Sequence, residues 1–547
     1  MAAQQRRRTP AQAARLILIL GANALCLFLL WKLGLPRLGA RADASAPPAA
    51  RVEAPVEGPA PADARSAAPD VVNARDPRLE ARIEQCIRTA LDKAARETKG
   101  RVQPSEVTVA VHVRELAVDG ELVALRADRS LRPASNLKLV TTAAALVLLG
   151  PDWSFRTRFT SSAPIVAGRL QGDLVVRASG DPLYDPEAKG EVEELLAPAL
   201  EALRAAGIAA IDGRIVLDEG SFQPPEPGPA WPTEKDAWKE YCALAGGFSA
   251  NAGCLTATVA ATEGTSARVV VRPRAHAFPE RLSVRTVGAK QSLDVRVGAL
   301  GGTVVVEGSL PRDVPEGSAR FAVSDPVELF GRVLSGALRA RGIAVSGGVV
   351  REHRAPAAGE RELAVLETPL ARVLGPINTD SNNACADQLF FALGDAIAGR
   401  GTRAGGRAAT AQALERLGLD PATLVQVDGS GLSRENRNSA RQITALVDAV
   451  LRRDPRTARL YLDSLAVGHA SGTLDGRMRD DRLAGRVHAK TGFINGTSAL
   501  SGVLDAESGR TLVFSILVEY PPQGGLNQSC WKPMQDALCG ELARADG

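Results

Sequence analysis

The chain has 547 residues, several times the ~100–200 residues of a typical domain, and this length predicts about two to four domains. Hydrophobic residues make up 45% and charged residues 23% of the chain, which excludes wholesale disorder, a collagen-like repeat and a polytopic membrane protein. The net charge of only +4, the 4% share of aromatic residues and five scattered histidines argue against a nucleic-acid partner and against a metal site.

The N-terminus is predicted to direct export. Four arginines precede an apolar run at residues 16–31, an order typical of a signal peptide or of an uncleaved signal anchor. We assign residues 1–35 to this segment, and residues 36–76, rich in Ala and Pro, to a disordered tether. The protein is therefore expected in the periplasm or cell envelope, either free or tethered to the inner membrane by the anchor.

Residues 77–155 are predicted to begin the folded body. The apolar spacing indicates a helix from Pro77, a β-hairpin with strands at residues 107–113 and 121–126, and a strongly apolar helix at residues 137–149. Ser135 lies at the start of the last of these helices. The order of hairpin, loop, serine and buried helix is the first informative architecture in the chain.

The pattern changes after residue 155. Short β-like runs separated by Gly and Pro recur across residues 156–350, with one amphipathic helix near residues 191–206. We interpret residues 156–350 as one or two inserted β-rich domains, and residues 351–547 as the continuation of the first part. The later sequence predicts helices at residues 327–341 and 369–398, two further helices, and an antiparallel meander at residues 486–490, 497–504 and 511–519.

The sequence leaves the pairing of the cysteines open. Six cysteines follow the apolar N-terminal run, and an oxidising compartment would allow them to form disulfides. The pairs that are close in sequence are Cys242 with Cys254 and Cys530 with Cys539. Small buried thiols explain these cysteines equally well.

Ser135 and Lys138 are the candidate nucleophile and base. One helical turn separates them, so their side chains share a face of the predicted helix. A serine hydroxyl attacks only when a base takes its proton, and lysine is a base only when neutral. Lowering a lysine pKa from ~10.4 to near 7 requires about 4 kcal/mol, which burial and a second cation ~4 Å away supply. The site is therefore expected to hold another positive group.

The same spacing recurs at Ser529 and Lys532, which we interpret as a chance match. Ser529 follows a polar loop rich in Pro and Gly, whereas Ser135 begins a buried helix after a hairpin. The surrounding sequence therefore favours the first pair.

Two further motifs are candidates to complete the site. Ser381 and Asn383 precede an apolar helix, where they would relay a proton and bind a substrate amide, although such residues are also common helix caps. Lys490-Thr491-Gly492 ends a predicted strand and occurs once in the chain. Its lysine would supply the second positive charge, and its glycine would let a substrate backbone approach the strand edge.

In this order the three motifs resemble the signatures of penicillin-recognising serine acyl-transferases. Longer segments resemble the D-alanyl-D-alanine carboxypeptidase/endopeptidase family, namely residues 133–146, 180–182, 427–434 and 485–492. The resemblance extends from about residue 78 to the C-terminus. It implies an α+β fold, in which a penicillin-binding-protein/β-lactamase-like transpeptidase domain, an antiparallel sheet with helices on both sides, is interrupted by one or two β-rich inserted domains.

The resemblance also implies the reaction. Ser135 would attack the D-Ala-D-Ala carbonyl of a peptidoglycan stem peptide and form an acyl-enzyme, with Lys138 as general base. Ser381 would relay a proton to the leaving amine, and Asn383 would hold the amide on the acyl side. β-Lactams would be covalent inhibitors, and neither a metal nor an organic cofactor is required.

Substrate binding is expected along the strand that ends in the third motif. Lys490 and Thr491 would bind the terminal carboxylate beside Gly492, and the backbone N–H groups of Ser135 and Phe493 would form the oxyanion hole. Phe493 departs from the family pattern, because many relatives carry Thr or Ser there. The backbone N–H of residue 493 is still present, but the side-chain hydroxyl is lost. The preference between carboxypeptidase and endopeptidase activity is therefore left open.

Two alternative functions are compatible with the same scaffold. One is a β-lactamase or esterase, against which the large insertion argues. The other is a catalytically silent peptidoglycan-binding protein, against which the intact serine, lysine and asparagine positions argue.

Overall fold

The computed structural model describes residues 75–545 except residues 290, 292, 301 and 315. The predicted export segment, and all of the predicted tether except its last two residues, lie outside this range. None of the helices in the described range combines the length and apolar content that a bilayer crossing requires.

The first part of the chain forms the predicted helix, hairpin and buried helix. These elements are α1 (Pro77–Glu97), β1 (Thr108–Glu115), β2 (Val123–Leu125) and α2 (Leu137–Leu148). Helix α1 begins where it does because the Asp76 side chain accepts the N–H groups of Arg78 and Leu79. Strands β1 and β2 pair antiparallel, and α2 is buried along almost its whole length.

Short strands dominate the middle of the chain. In chain order the elements are β3 (Ser154–Ser161), β4 (Ile165–Val166), β5 (Arg169–Leu170), β6 (Leu174–Arg177), α3 (Ala197–Ala205), β7 (Ala210–Ile211), β8 (Ile215–Asp218), β9 (Cys254–Ala260), β10 (Arg268–Arg272), β11 (Glu280–Val287), β12 (Asp294–Leu300), β13 (Thr303–Pro311), β14 (Gly317–Ala322), α4 (Pro326–Ala340), β15 (Ala344–Val345), β16 (Val349–Arg351) and β17 (Arg361–Pro369).

These strands form several small sheets. The largest has the order β16-β8-β6-β3-β17, and the others are β15-β7-β5-β4, β10-β9-β14 and β11-β13-β12. Strand β17 was not predicted; it pairs antiparallel with β3 over most of its length. The largest sheet therefore extends beyond both predicted limits of the insertion, residues 156 and 350, and the division into domains stays a prediction.

The last part of the chain supplies the remaining helices and most of the main sheet. Its elements are α5 (Leu370–Asn378), α6 (Asn383–Ala398), α7 (Arg403–Arg416), α8 (Ala440–Leu451), α9 (Pro455–Asp463), β18 (Ala466–Val467), β19 (Val487–Ile494), β20 (Thr497–Asp505), β21 (Thr511–Glu519) and α10 (Lys532–Ala543). The helical run predicted at residues 369–398 is two helices, α5 and α6, with a break at residues 379–382.

The main sheet has helices on both sides, as the resemblance implied. Its order is β18-β19-β20-β21-β1-β2, so the first and last parts of the chain join between β1 and β21. Strand β21 alternates between two cores: Phe514, Ile516 and Val518 pack with α1 and α10, and Val513 and Leu517 pack with α2 and α8. The expected α+β architecture is confirmed.

The cysteines in the described range are free thiols. Neither Cys242 and Cys254 nor Cys530 and Cys539 form a disulfide, and these four side chains are buried. Burial raises the pKa of the Cys254 thiol to about 12. The structure thus has the buried thiols that the sequence left as one of two alternatives.

Candidate active site

Ser135 lies in a tight turn that a neighbouring loop holds in place. The turn is a single 3₁₀ turn, Ala134–Asn136, directly before α2, and Ala134 has a positive φ of 47°. Gly431 packs directly on this turn, because a Cβ there would lie 1.9 Å from the Ala134 carbonyl oxygen. Two unusual backbone positions therefore hold the turn that carries the partly exposed Ser135 side chain.

Lys138 is fully buried beneath Ser135. Its Nζ donates to Ser135 Oγ at 3.0 Å, to Asn383 Oδ1 at 2.6 Å and to the Ser430 carbonyl oxygen at 2.7 Å. Three acceptors match the three N–H donors of a lysine ammonium group. The pair predicted from the sequence is thus in direct contact, and Asn383 joins it from a segment that is distant in the chain.

Lys490 is the second buried lysine of the site. Its Nζ donates to Ser381 Oγ at 2.8 Å and to the Thr491 carbonyl oxygen at 2.9 Å. Ser381 has a positive φ of 64° at the break between α5 and α6, where the Asn382 side chain caps α6 by accepting the Cys385 N–H. The helix cap and the candidate proton relay are therefore neighbouring residues of one loop.

The two lysines have lowered pKa values. Burial lowers the pKa of Lys138 to about 8, although the carboxylates of Asp387 and Asp428 oppose this shift. Burial lowers the pKa of Lys490 well below its usual value, and the charge on Lys138 adds to that effect. The expected second lysine is present, but two buried carboxylates, which the sequence argument did not include, also face Lys138.

The strand edge next to Ser135 is open. Strand β18 pairs only with His488 and Ala489, so from Lys490 onward β19 has β20 as its one strand partner in the described range. Gly492 packs closely on the turn that carries Ser135, because a Cβ there would lie 2.9 Å from the Pro133 carbonyl oxygen. The free edge suits an added peptide strand.

Thr491 and Phe493 lie along the same edge. Thr491 Oγ1 donates to Thr473 Oγ1 at 2.9 Å. Phe493 is 52% exposed, the most exposed large apolar side chain in the described range. The eight residues proposed for the site from the sequence therefore lie where the turn before α2, the start of α6 and the edge of β19 come together.

Two residues of the middle region also reach the site, and the sequence gave no signal for either. The Tyr241 carbonyl oxygen accepts Asn383 Nδ2 at 2.8 Å, and Trp231 Nε1 donates to Asp428 Oδ2 at 2.8 Å. The segment that contains them therefore supports the site through hydrogen bonds that no motif encodes. Across the described part of the chain, no group of three or more His, Cys, Asp or Glu residues could hold a metal ion.

Ser135 in contact with the buried Lys138, beside Ser381 in contact with the buried Lys490, is the arrangement that the sequence predicted for a serine hydrolase. The family model that matches the chain is the D-Ala-D-Ala carboxypeptidase 3 (S13) family, over residues 89–538. The chain belongs to this family and is a serine peptidase, which confirms the predicted family and enzyme class.

Similar proteins agree with this assignment. A D-alanyl-D-alanine carboxypeptidase of Actinomadura sp. (strain R39) is 32% identical over 461 residues, which cover 80% of this chain and 81% of that one. The D-alanyl-D-alanine carboxypeptidase DacB of Haemophilus influenzae is 27% identical over 394 residues, with 70% and 79% covered.

The solved structures show the fold. Penicillin-binding protein 4 (dacB) of Haemophilus influenzae has a TM-score of 0.68 at 22% identity, with 83% of this chain and 99% of that chain covered. A structure of that protein in complex with a novel β-lactam has a TM-score of 0.64 at 21% identity, with the same shares covered. The predicted penicillin-binding-protein-like fold is thereby confirmed.

Proposed function

We propose that this protein hydrolyses D-Ala-D-Ala ends and D-Ala-containing cross-links of peptidoglycan stem peptides through an acyl-enzyme on Ser135. The contact between Lys138 Nζ and Ser135 Oγ, 3.0 Å at a buried lysine, carries the proposal. Family membership supports this function over a β-lactamase, an esterase or a silent wall-binding protein.

In the acylation step, neutral Lys138 takes the proton of Ser135 as Oγ attacks the carbonyl carbon of the substrate. The negative charge that develops on the carbonyl oxygen is stabilised by the backbone N–H groups of Ser135 and Phe493, at about 3–4 kcal/mol per donor. Asn383 contacts Lys138 through Oδ1 and the Tyr241 carbonyl through Nδ2, so its amide plane is fixed where the acyl-side amide of the substrate would lie.

In the departure step, the leaving amine receives a proton through Ser381. Protonated Lys490 donates to Ser381 Oγ through Nζ, so the hydroxyl can pass its own proton to the amine and take a replacement from Lys490, which regains a proton from water through Ser381 in deacylation. Water then takes the place of the amine, and the same groups act in reverse to hydrolyse the acyl-enzyme.

The substrate would lie antiparallel along the open edge of β19, from Lys490 to Phe493. Lys490 and Thr491 would attract its terminal carboxylate, and Gly492 leaves room for its backbone. This chain has the exposed Phe493 ring at the position where many relatives have the hydroxyl of Thr or Ser. We therefore expect Phe493 to affect the choice among substrates.

Two parts of the proposal reach beyond the site. Because the Haemophilus influenzae neighbour forms a complex with a β-lactam, we propose that β-lactams also bind this chain, where they would acylate Ser135. We also propose export by residues 1–35 to the periplasm or cell envelope, with retention at the membrane if that segment is not cleaved.

The test is covalent labelling of the full chain with a fluorescent penicillin, read by gel and by intact mass, followed by digestion of purified muropeptides. We expect one label per chain, released D-Ala and cleaved cross-links. A folded chain that neither acquires label nor changes the muropeptides would contradict the proposed function.

A further inference from the structure

Two buried carboxylates lie below the site without a role in the mechanism above. Asp387 is on α6, one helical turn after Asn383, and Asp428 is in the loop before Ser430. Their exposed fractions are 3% and 1%. Buried carboxylates are costly unless they are paired, fully hydrogen-bonded or protonated, so each needs an explanation.

Asp428 is bonded as an anion would be. Its Oδ1 accepts the Gly431 N–H at 2.8 Å and Asn436 Nδ2 at 2.9 Å. Its Oδ2 accepts the Ser433 N–H at 2.7 Å and Trp231 Nε1 at 2.8 Å. Four donors on two oxygens leave no acceptor toward which a carboxyl proton would point, so this group suits the charged form.

Asp387 is bonded differently. Its Oδ1 accepts the N–H groups of Gly429 at 2.7 Å and Ser430 at 3.1 Å, while its buried Oδ2 has no hydrogen-bond partner in the described range. One oxygen is therefore available to hold a proton. The Ser430 carbonyl accepts Lys138 Nζ at 2.7 Å, so one residue connects Asp387 to the proposed base.

Charge and burial act on Asp387 in the same direction. Burial and the negative charge of Asp428 raise the pKa of Asp387 to about 7, while its hydrogen bonds to the loop and the charge of Lys138 oppose the rise. Two adjacent buried carboxylates do not both ionise at little cost, so one of them retains a proton. The hydrogen-bond pattern identifies Asp387 as that group.

We propose that Asp387 is a positioning residue whose protonation state sets the charge of Lys138. When Asp387 is a carboxyl group, Lys138 is free to be a neutral amine and to act as the base. When Asp387 is a carboxylate, it holds Lys138 as an ammonium ion. The two states contain the same number of protons, since the proton gained by one group is the proton lost by the other.

The other charged groups near this pair are on three elements. Asp428 is in the loop, Lys490 is on β19, and Cys385 is on α6 with Asp387. Asp428 has four hydrogen-bond donors on its two oxygens, Lys490 is present in both the wild type and the Asp387 variant, and burial raises the pKa of the Cys385 thiol. Asp387 is therefore the group whose ionisation changes the field at Lys138.

The inference rests on the proposed role of Lys138, and Asp387→Asn tests it. The variant keeps an oxygen for the Gly429 and Ser430 N–H groups and removes the charge that favours protonated Lys138. We expect the acid limb of the penicillin acylation rate, measured against pH, to move to lower pH by about one unit. Asp395 lies on the same helix and accepts a hydrogen bond from Ser221, so Asp395→Asn is the matched control. We expect it to leave the acid limb at the wild-type pH.

A folded Asp387→Asn protein with an unmoved acid limb would overturn this inference and leave the proposed function standing. Wild-type protein that takes no label would instead overturn the proposed function. If Asp387→Asn does not fold, infrared spectra of the wild type and Asp387→Glu decide the matter. We expect a protonated-carboxyl band at about pH 6 that Asp387→Glu displaces, and a band identical in the two proteins would contradict the inference.

Discussion

The chain contains two serines that are followed at the same spacing by a lysine, and the hydrogen-bond partners of the two pairs differ. At the first pair, Lys138 Nζ donates to Ser135 Oγ at 3.0 Å. At the second, Ser529 Oγ donates to Glu97 Oε2 at 2.5 Å, and Lys532 Nζ donates to Gln528 Oε1 at 3.1 Å. No hydrogen bond joins the Ser529 and Lys532 side chains in the structure as described.

The difference lies in what surrounds each pair. The hydroxyl proton of Ser529 is directed to the Glu97 carboxylate and not to Lys532, so the lysine of this pair is not placed to take it. Ser135 instead faces a buried lysine whose other donors are held by a side-chain amide and a backbone carbonyl. A lowered lysine pKa does not by itself distinguish the pairs, because burial also lowers the pKa of the partly buried Lys532. The acceptors around the lysine and the serine decide which pair can react.

The largest effect on penicillin labelling is expected when the serines are substituted. Ser135→Ala removes the attacking oxygen and should abolish labelling by a fluorescent penicillin, whereas Ser529→Ala should label like the wild type. Gel fluorescence and intact mass, with circular dichroism as the folding control, measure both. Label retained on Ser135→Ala, or lost from Ser529→Ala, would contradict the proposed difference between the two pairs.

Substitutions of the two lysines are expected to give acylation rates that differ by several orders of magnitude. Lys138→Met removes the general base and should slow acylation by about 10²–10⁴-fold. Lys532→Met, which removes a lysine that also follows a serine, should acylate at the wild-type rate. Stopped-flow acylation by a chromogenic cephalosporin gives both rates. A Lys138→Met protein that acylates as fast as the wild type would refute the role of Lys138.

The depressed pKa of Lys138 also predicts how stability depends on pH. In the folded state its pKa is about 8, against ~10.4 in the unfolded chain, so the unfolded state binds more protons between these values. Relative to Lys138→Met, the wild type should therefore gain about 2–3 kcal/mol of unfolding free energy as the pH rises from about 8 to above ~10.4. Urea titrations of both proteins at the two ends of this range measure the difference. Parallel stability curves would indicate an ordinary lysine pKa.

The smallest effect is expected at Phe493. Phe493→Thr places a hydroxyl beside the proposed carboxylate position and should increase release of D-Ala from a pentapeptide by up to about tenfold. Phe493→Val has nearly the shape of the threonine variant without the hydroxyl, so it separates the hydrogen bond from the loss of the ring. Equal rates for the two variants would assign the effect to ring removal alone.

Local patterns predicted much of the fold. The apolar periodicity of α2 and the apolar runs of β20 and β21 correctly placed those elements, because each of them is buried against a core. Strand β17 was missed because its neighbour in the sheet, β3, lies about two hundred residues earlier in the chain. The predicted helix at residues 369–398 was divided because a positive φ at Ser381 interrupts it.

The sequence by itself determined the residue types of the site, because serine, lysine and asparagine at fixed spacings occur in three short motifs. The class of fold followed from the resemblance that these motifs and the longer segments around them show to a known family. Only the tertiary structure decided which Ser and Lys meet and that Asp387 and Asp428 lie beneath Lys138. It likewise decided that Tyr241 and Trp231 support the site from the middle region. The physical reason is that burial and hydrogen bonding depend on segments far apart in sequence: Lys138 and Asn383 are 245 residues apart and in contact at 2.6 Å.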